Sequence, residues 1–566
     1  MMPKRLALAG TAVQHPGTGP EARRYNLALP ALAAYAAGRR PDVEVAIREF
    51  PLDLADPVLP TRAAEEILAS DPEVVGISLF CWDLDAFEPV VRRVKQLSPR
   101  VRILAGGPSV TFAPRATLER FAALDAVVLG EGEETLAEVL ERGLGDAGAI
   151  PGLAWREADG SLRESAPRPP IADLGTLPSP YLGGLIDPPR SNLMLEYSRG
   201  CVFRCKYCAW KNFMGKVRYF APAVMRDQVR FAVERRCDHV FILDSALNFD
   251  EARMGALAEA IRAEVPGQRV AFSFFISHQH FRQEQVEILS GIRPHELNVG
   301  LESVDPAVLR SIGRSPLDES RFEGAIESLS VLGPVTISVI LGIPADSLDG
   351  FRRTLDYLAR LRVRGRRDRI KAVRVFWMIV TPGSAFDAQR GQLGIETVRP
   401  GAPYLRASTS FPERDLARAV RFMMEHEARD LFLWEDPWPG RHLAGLEDLT
   451  PPSAPAARLG LEGDGALDLG TLLPDLAPGA EVAEGWVLRG RASMAGWPVL
   501  RLEKQGRQLE VQVRRRDEAR PCFLRTPRHD LLWLAPRGDP DDGSLGSDPS
   551  VGRLLKWIAA AIERHE

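Results

Sequence analysis

Short apolar runs that end in glycine or a small polar residue recur through the first 150 residues. Such runs begin at Val74, Val101 and Asp125, and a segment with apolar residues at helical spacing separates the first two. The apolar positions of that segment are Phe87, Val90, Val91, Val94 and Leu97. Alternation of buried strands with amphipathic helices is typical of a doubly wound parallel sheet. The pattern therefore predicts a Rossmann-like α/β domain over residues 1–150.

The segment that follows, residues 151–190, is rich in proline and glycine. Both residues interrupt regular structure, and the pair Asp159-Gly160 favours a hairpin turn. We interpret this segment as a linker between two domains.

A second series of alternating elements occupies residues 191–435. Six apolar runs are separated by segments of helix length, at 192–197, 239–243, 270–276, 296–302, 335–342 and 373–380. Repeated strand–helix units of this kind favour a parallel barrel. We predict a partial TIM barrel of six β/α units.

The last part of the chain, residues 436–566, has a different character. Residues 484–490, 498–504 and 508–516 have the pattern of antiparallel strands, and residues 551–566 have that of an amphipathic helix. We predict a small C-terminal α+β domain. It either recognises the substrate or covers the open side of the barrel.

Charge and hydropathy exclude some classes of function. The net charge of -4 and the pI near 6.2 leave no basic footprint for nucleic acid, and no apolar stretch is long enough to cross a membrane. The apolar run at 6–9 is too short for a signal peptide, so we expect a cytoplasmic protein. The basic segment 360–374 is an exception. It is either a solvated connection or a docking site for an acidic electron donor such as flavodoxin or ferredoxin.

Three of the six cysteines, Cys201, Cys205 and Cys208, lie within eight residues in a CxxxCxxC spacing. They follow the first predicted barrel strand, and active sites of such barrels lie at the carboxyl ends of the strands. Thiolates are suited to iron-sulfur clusters, and three of them leave one iron of a [4Fe-4S] cluster open for chemistry. A zinc site with a fourth ligand, or a chance grouping, is the alternative.

This loop resembles that of the radical S-adenosylmethionine (SAM) superfamily, and residues 300–314 and 340–358 resemble further segments of it. The resemblance implies that SAM binds the open iron and is cleaved to a 5′-deoxyadenosyl radical. It also implies a set of SAM contacts. Two of these, Asp244 and Ser245, lack the glycines that usually accompany them in the family. The implied contacts are Tyr207, Asp244, Ser245, Glu302 and Arg314.

The first domain carries glycine motifs at two predicted strand ends, Gly106-Gly107 and Gly130-Glu131. With their setting in the chain, they resemble the cobalamin-binding domain of B12-dependent radical SAM enzymes, and the likeness covers residues 1–435. It implies cobalamin contacts at Ser78, Leu79, Trp82, Gly106, Gly107, Gly130 and Glu131. No DxHxxG motif occurs, which implies cobalamin without a histidine ligand from the protein. His15 and Cys81 are conceivable cobalt ligands, but loop or core roles are favoured.

The resemblance implies an enzyme that methylates an unactivated carbon of a natural-product precursor or peptide, using methylcobalamin and the 5′-deoxyadenosyl radical. Oxidative cyclisation or ring rearrangement with the same cofactors is the alternative. A radical methylthiotransferase would need three more cysteines in the first domain, where only Cys81 occurs. A cobalamin sensor without catalysis would leave the cysteine motif unused.

Overall fold

A computed structural model of the protein describes residues 3–12, 25–51, 59–186, 193–265, 270–292, 294–364, 370–399 and 402–434, together with seven strands between residues 459 and 537. The chain forms two compact units, Met1–Met423 with Asp436–Gly445 and Met424–Glu435 with Leu446–Glu566. Among the described helices, none combines the length and apolar character that a membrane span requires. The domain boundaries at residues 150, 190 and 435 stay predictions.

The N-terminal sheet has the strand order β2-β1-β3-β4-β5-β6-β7, in which the first five strands are parallel and the last two antiparallel. Its strands are β1 (Arg5–Ala12), β2 (Glu44–Pro51), β3 (Val74–Ser78), β4 (Arg102–Gly106), β5 (Ala126–Val128), β6 (Leu153–Arg156) and β7 (Leu162–Glu164). The three predicted strands are confirmed, and β1 and β2 are additional. The predicted hairpin forms β6 and β7, but it extends this sheet, because β6 pairs with the edge of β5.

Helices cover both faces of the N-terminal sheet, as in a doubly wound fold. They are α1 (Ala28–Arg39), α2 (Leu59–Leu68), α3 (Leu84–Leu97), α4 (Pro108–Thr111), α5 (Pro114–Arg120) and α6 (Glu133–Arg142). One core contains residues of α2 and α3, and a second contains residues of α1 and α6. The predicted apolar face of α3 is buried except for Leu97, which ends the helix and is 43% exposed.

Six parallel strands in the order β8-β11-β12-β13-β14-β15 confirm the predicted partial barrel. They are β8 (Leu193–Leu195), β11 (His239–Ile242), β12 (Ala271–Ile276), β13 (Pro294–Glu302), β14 (Val335–Leu341) and β15 (Ile370–Trp377). Two short strands, β9 (Ser198–Arg199) and β10 (Arg218–Tyr219), form a separate antiparallel pair. The carboxyl ends of the parallel strands form the mouth of the barrel, where we expect the chemistry.

The helices that follow β9 are α7 (Trp210–Met214), α8 (Pro222–Glu234), α9 (Glu251–Glu264), α10 (Glu284–Leu289), α11 (Pro306–Ser311), α12 (Glu319–Leu332), α13 (Leu348–Arg364), α14 (Ala385–Ala388) and α15 (Glu413–Glu425). Two further strands, β16 (Glu396–Arg399) and β17 (Ala402–Ala407), pair with each other, and β18 spans Phe432–Trp434. Aspartates start two of the longer helices: Asp250 accepts a hydrogen bond from Arg253 N at α9, and Asp318 accepts one from Arg321 N at α12. Such N-caps satisfy amides that the first turn leaves without partners.

The C-terminal strands form a seven-stranded sheet with the order β19-β25-β24-β23-β22-β21-β20. They are β19 (Leu459–Glu462), β20 (Glu481–Ala483), β21 (Trp486–Met494), β22 (Trp497–Lys504), β23 (Arg507–Gln512), β24 (Phe523–Thr526) and β25 (His529–Arg537). The pairing from β20 to β25 is antiparallel, which confirms the three predicted strands. The predicted helix at 551–566 lies outside the described residues.

Candidate active site

The three clustered cysteines lie in one loop, residues 200–217, which we call the cysteine loop. It leaves the barrel after β9 and returns at β10, and these two strands pair at its base. Gly200 has φ +103°, and a Cβ atom there would lie 2.4 Å from the carbonyl oxygen of Lys216. Only glycine permits this close approach, which brings the two ends of the loop together.

Backbone contacts hold the middle of the cysteine loop against two other loops of the barrel mouth. Lys206 N donates to Ile312 O at 3.0 Å, and Lys206 O accepts from Phe386 N at 3.1 Å. The carbonyl of Tyr207 accepts a hydrogen bond of 2.9 Å from Thr381 Oγ1. The segments after α11 and β15 therefore determine where the loop lies.

All three thiols of the cysteine loop are free. Burial raises the pKa of the Cys208 thiol to about 11, and the nearby Cys205 and Cys201 add to the rise because adjacent thiolates repel. Cys208 Sγ also accepts a hydrogen bond of 3.4 Å from Trp210 N. A cationic cluster would remove this repulsion, so the donor set fits an iron-sulfur cluster. Over the described ranges, no three His, Cys, Asp or Glu side chains converge on one point.

Three of the five predicted SAM contacts, Tyr207, Glu302 and Arg314, meet beside the cysteine loop. Glu302 Oε1 accepts hydrogen bonds from Tyr207 Oη at 2.9 Å and from Arg314 Nη2 at 2.9 Å. The guanidinium also donates to Tyr207 Oη at 3.0 Å and to Gly300 O at 2.8 Å. Burial raises the pKa of Glu302, and Arg314 opposes that rise. Glu302 has φ +70°, an uncommon conformation that positions its carboxylate at the end of β13.

The other two predicted SAM contacts, Asp244 and Ser245, lie at the base of the cysteine loop. Asp244 Oδ1 accepts from Tyr197 N at 2.9 Å and from Ser198 N at 2.8 Å, and Oδ2 accepts from Ser198 Oγ at 2.7 Å. Ser245 Oγ donates to Gly200 O at 2.9 Å. Burial raises the pKa of Asp244 to about 7. These side chains are thus engaged by the start of the loop.

The predicted cobalamin contacts lie at the carboxyl ends of β3, β4 and β5. Leu79 N donates to Gly106 O at 2.8 Å, and the Leu79 side chain is fully buried in the core. Trp82 stacks on Phe80 with ring centroids 4.8 Å apart. Ser78 is buried at the end of β3. Leu79 can therefore face a ligand only through its backbone, whereas the Trp82 ring is half-buried.

Backbone lies open beside these strand ends. Gly107 has φ +123°, and a Cβ atom there would lie 2.4 Å from Leu79 O. A Cβ atom on Gly106 would meet only Val128, at 3.7 Å or more, and one on Gly130 would meet nothing within 4 Å. Nearby, Asn26 Nδ2 is buried and has no hydrogen-bond partner among the described residues. An open backbone edge with an unsatisfied donor fits a large polar cofactor such as cobalamin.

The side chain of Glu131, a predicted cobalamin contact, is instead bound by protein groups. Its Oε1 accepts from Arg199 Nη1 at 2.9 Å, and its Oε2 accepts from Ile171 N at 2.6 Å and Arg218 Nη1 at 2.9 Å. Arg199 and Arg218 flank the cysteine loop, and sequence analysis did not single them out. The signal available in the sequence was that both arginines lie directly beside the cysteine motif, in a segment that contains several other basic residues.

The structure gives no support for Cys81 or His15 as a cobalt ligand. Cys81 is buried, burial raises the pKa of its thiol to about 12, and it contacts the Ser109 side chain. A buried thiol of raised pKa has core character. His15 lies outside the described residues.

Two family models match the chain. The model "B12 binding domain" matches residues 21–140, and the model "Radical SAM superfamily" matches residues 195–358. The first match covers β2 to β5 and most of α6, and the second runs from β8 to the end of β14 and into α13. Both sets of strand ends described above lie within these matches.

Curated relatives are similar at 26% identity. An uncharacterized methyltransferase of Pyrococcus horikoshii aligns over 55% of this chain and 69% of its own. The cobalamin-dependent radical SAM methyltransferase TokK of Streptomyces tokunonensis aligns over 63% of this chain and 56% of its own. The 2-(S-pantetheinyl)-carbapenam-3-carboxylate methyltransferase of Streptantibioticus cattleyicolor aligns over 68% of this chain and 58% of its own. The chain thus spans little more than half the length of the last two.

Solved structures share the fold. Methyltransferase TsrM from Kitasatospora setae, solved with cobalamin and a [4Fe-4S] cluster, superposes with a TM-score of 0.59 at 15% identity, over 77% of this chain and 92% of its own. OxsB, a cobalamin-dependent SAM radical enzyme, superposes with a TM-score of 0.57 at 15% identity, over 75% of this chain and 66% of its own. With a B12-binding domain followed by a radical SAM barrel, this chain belongs to the cobalamin-dependent radical SAM enzymes.

Proposed function

We propose that the enzyme transfers a methyl group to an unactivated carbon of a small-molecule natural-product precursor or a peptide. The observation that carries this proposal is the direct contact between Glu131, at the turn after β5, and Arg199, at the base of the cysteine loop, with 2.9 Å between their polar atoms. Methyl transfer to a substrate radical requires both cofactors at one substrate, because proximity supplies much of the rate.

The extent of similarity favours methyl transfer over cyclisation. Relatives named as methyltransferases align over 50% to 68% of this chain. Those named as anaerobic magnesium-protoporphyrin IX monomethyl ester cyclases align over 31% to 38%. The wider alignment with methyltransferases supports a shared arrangement of both domains.

The cysteine loop holds the iron-sulfur cluster through the thiolates of Cys201, Cys205 and Cys208. When bound, the cluster and SAM supply the radical that removes a hydrogen atom from the substrate, and cobalamin supplies the methyl group. Three thiolates leave one iron for SAM. The protein's part is to hold this loop at the barrel mouth through Thr381 and Phe386.

Tyr207, Glu302 and Arg314 orient SAM. Only Oε1 of Glu302 is engaged by the other two side chains, which leaves Oε2 to accept a hydrogen bond from the SAM ammonium or ribose. Burial raises the pKa of Glu302 and Arg314 opposes that rise, which favours the ionised acceptor. Asp244 and Ser245 act indirectly: they position the start of the cysteine loop through hydrogen bonds with Ser198 and Gly200.

Cobalamin lies along the carboxyl ends of the N-terminal strands. Gly106 and Gly130 let it approach the backbone, Gly107 lets that backbone pack against Leu79, and Ser78 and the Trp82 ring border it. Asn26 Nδ2, which has no partner within the described part of the chain, provides a donor. Leu79 and Glu131 contribute backbone, because the side chain of each is engaged inside the protein.

An acidic electron donor such as flavodoxin or ferredoxin docks at the cysteine loop itself. The loop contains Arg204, Lys206, Lys211 and Lys216 and no acidic residue. Arg204 and Lys216 are exposed. The basic segment 360–374 is a weaker candidate, because Arg374 pairs with Glu296 at 3.0 Å.

Charge reversal tests this docking site. Arg204→Glu with Lys216→Glu should slow SAM cleavage about tenfold when flavodoxin is the reductant at low salt, since steering depends on complementary charge. Cleavage driven by a small chemical reductant should be unchanged. Equal rates with flavodoxin for the variant and the wild type would place the donor elsewhere.

The enzyme works in the cytoplasm, without nucleic acid. The five described cysteines are free thiols, as a reducing compartment favours, and the net charge is -4. Transfer of a labelled SAM methyl group to nucleic acid that co-purifies with the enzyme would contradict the proposal that it acts without nucleic acid.

The decisive experiment uses SAM with a deuterated methyl group. The full chain is reconstituted anaerobically with cluster, hydroxocobalamin and reductant, and is incubated with compounds made by neighbouring gene products. We expect 5′-deoxyadenosine and a product that carries the labelled methyl group. A product that has lost hydrogen without gaining the label would establish cyclisation instead.

A further inference from the structure

Five charged side chains form a network between the N-terminal domain and the cysteine loop: Glu131, Glu133, Glu196, Arg199 and Arg218. We call it the Glu131 network. Arg199 uses its whole guanidinium, with Nε 3.0 Å from Glu196, Nη1 2.9 Å from Glu131 and Nη2 2.7 Å from Glu133. A planar guanidinium bound at three nitrogens has its orientation determined by its partners.

Arg218 adds a second connection from the other side of the loop. Its Nη1 donates to Glu131 Oε2 at 2.9 Å, and its Nη2 donates to Met214 O at 2.8 Å inside the loop. Arg199 belongs to β9 and Arg218 to β10, so Glu131 binds both strands that close the cysteine loop. One carboxylate thereby holds both ends of the loop.

The centre of the network is shielded from water. The side chains of Glu131 and Arg199 are 3% and 7% exposed, respectively. Charges in such surroundings interact strongly and are costly to separate, so the arrangement resists gradual deformation. A displacement of Glu131 is therefore passed to β9 and β10.

The turn that carries Glu131 also borders the predicted cobalamin site. Gly130 precedes it, and space on the Cα side of Gly130 is open, while Gly130 N donates to Thr111 Oγ1 at 3.1 Å. Glu133, next along the turn, begins α6. Successive residues of one turn thus face the cofactor site and the cysteine loop.

We propose that the Glu131 network couples cobalamin binding in the N-terminal domain to the conformation of the cysteine loop, with Glu131, Arg199 and Arg218 as positioning residues. The inference rests on the proposed function in taking cobalamin as the ligand of this domain. A ligand that orders the turn after β5 orders the loop, because the two share the network.

Hydrogen–deuterium exchange of the full, cluster-reconstituted chain tests the coupling. Binding of hydroxocobalamin is first established by absorbance, and exchange of peptides from residues 199–218 is then compared with and without saturating hydroxocobalamin. In the wild type, we expect cobalamin to slow this exchange about tenfold. In Glu131→Gln at the same saturation, the slowing should fall to less than about twofold, since the amide cannot hold two guanidinium groups.

Glu138→Gln is the matched control, because Glu138 lies on α6 and pairs with Arg168 of the linker at 2.8 Å. It should retain the full cobalamin-dependent slowing. Arg218→Gln is measured in parallel, in case Glu131→Gln does not fold. It leaves the Arg199–Glu131 pair in place and should halve the cobalamin-dependent slowing.

The outcomes separate the coupling from the proposed function. If hydroxocobalamin is not bound, both the proposed function and the coupling are wrong. If it is bound but leaves exchange of 199–218 unchanged in the wild type, the coupling alone is wrong. It is equally overturned if Glu131→Gln keeps the slowing, or if Glu138→Gln loses as much as Glu131→Gln, since the network would then serve general stability.

Discussion

The barrel mouth and the edge of the N-terminal sheet present cofactors with opposite kinds of surface. At the mouth, the functional groups are side chains: three thiols and the Glu302–Arg314 pair, whose charged atoms are 2.9 Å apart. At the sheet edge, the surface is mostly backbone, left open at Gly106 and Gly130, while Gly107 packs closely against the backbone of Leu79. A cluster demands particular ligand atoms, whereas a corrin demands room and shape.

This difference determines which substitutions harm each site. Removing atoms should disable the barrel mouth, because its ligands and charges have no substitutes. Adding atoms should disable the sheet edge, because its function is to leave space.

The largest effect is expected at the thiols. Changing any one of Cys201, Cys205 or Cys208 to Ala should abolish formation of 5′-deoxyadenosine, because two thiolates do not hold a cluster with an open iron. Iron content and absorbance measure the loss. Cys237→Ala, at a buried cysteine outside the loop, should keep the cluster. Cluster and SAM cleavage in a triple Ala variant would refute the assignment.

The next effect concerns two carboxylates at opposite ends of β13. Glu302→Gln should lower the free energy of unfolding by about 3 kcal/mol and weaken SAM binding, because Arg314 loses its counter-charge.

Glu296→Gln, which breaks the pair with Arg374 at the other end of β13, should cost similar stability and leave SAM binding unchanged. Chemical unfolding and equilibrium dialysis with labelled SAM separate the two effects. Equal SAM affinity in both variants would remove Glu302 from the site.

A single added methyl group should disrupt the sheet edge. Gly107→Ala should destabilise the N-terminal domain by about 2–3 kcal/mol and abolish binding of hydroxocobalamin, because the new Cβ would lie 2.4 Å from Leu79 O. Cluster assembly should survive.

Gly143→Ala provides the comparison, since Gly143 also has positive φ, +71°, but nothing lies within 4 Å of its Cβ position. It should cost only about 1 kcal/mol and keep cobalamin binding. Thermal unfolding and absorbance titration report both quantities. Identical behaviour of the two variants would mean that close approach at Gly107 is unimportant.

The smallest effect is a gain in stability. Ala345, after β14, has φ +81°, and its amide donates to Ser410 Oγ at 2.7 Å. Ala345→Gly should raise the free energy of unfolding by up to about 1 kcal/mol by relieving this strain. Ala116→Gly, at an exposed position inside α5, should lower it by about 1 kcal/mol. A loss of stability in both would show that Ala345 is not strained.

The sequence by itself determined the elements whose signal is local. Continuous apolar runs separated by segments of helix length identified the six barrel strands, and the 3.6-residue periodicity identified the buried face of α3. The CxxxCxxC spacing identified the cysteine loop, because ligands of one cluster lie close in sequence. Strand β1 was missed, although its apolar run is clear, because it was weighed only as a signal segment.

Only the tertiary structure decided which partners the charged side chains take. Glu131 stays a predicted cobalamin contact through its backbone, and its side chain binds Arg199, which is 68 residues away in the chain. Asp244 was predicted to contact SAM. Its carboxylate accepts a hydrogen bond from Ser198 N, which lies 46 residues earlier in the chain, just before the cysteine loop. The β6–β7 hairpin, predicted to lie in a linker, likewise joins the N-terminal sheet through pairing of β6 with β5. Pairing across such separations depends on which surfaces the fold brings together, and no local pattern in a sequence encodes that.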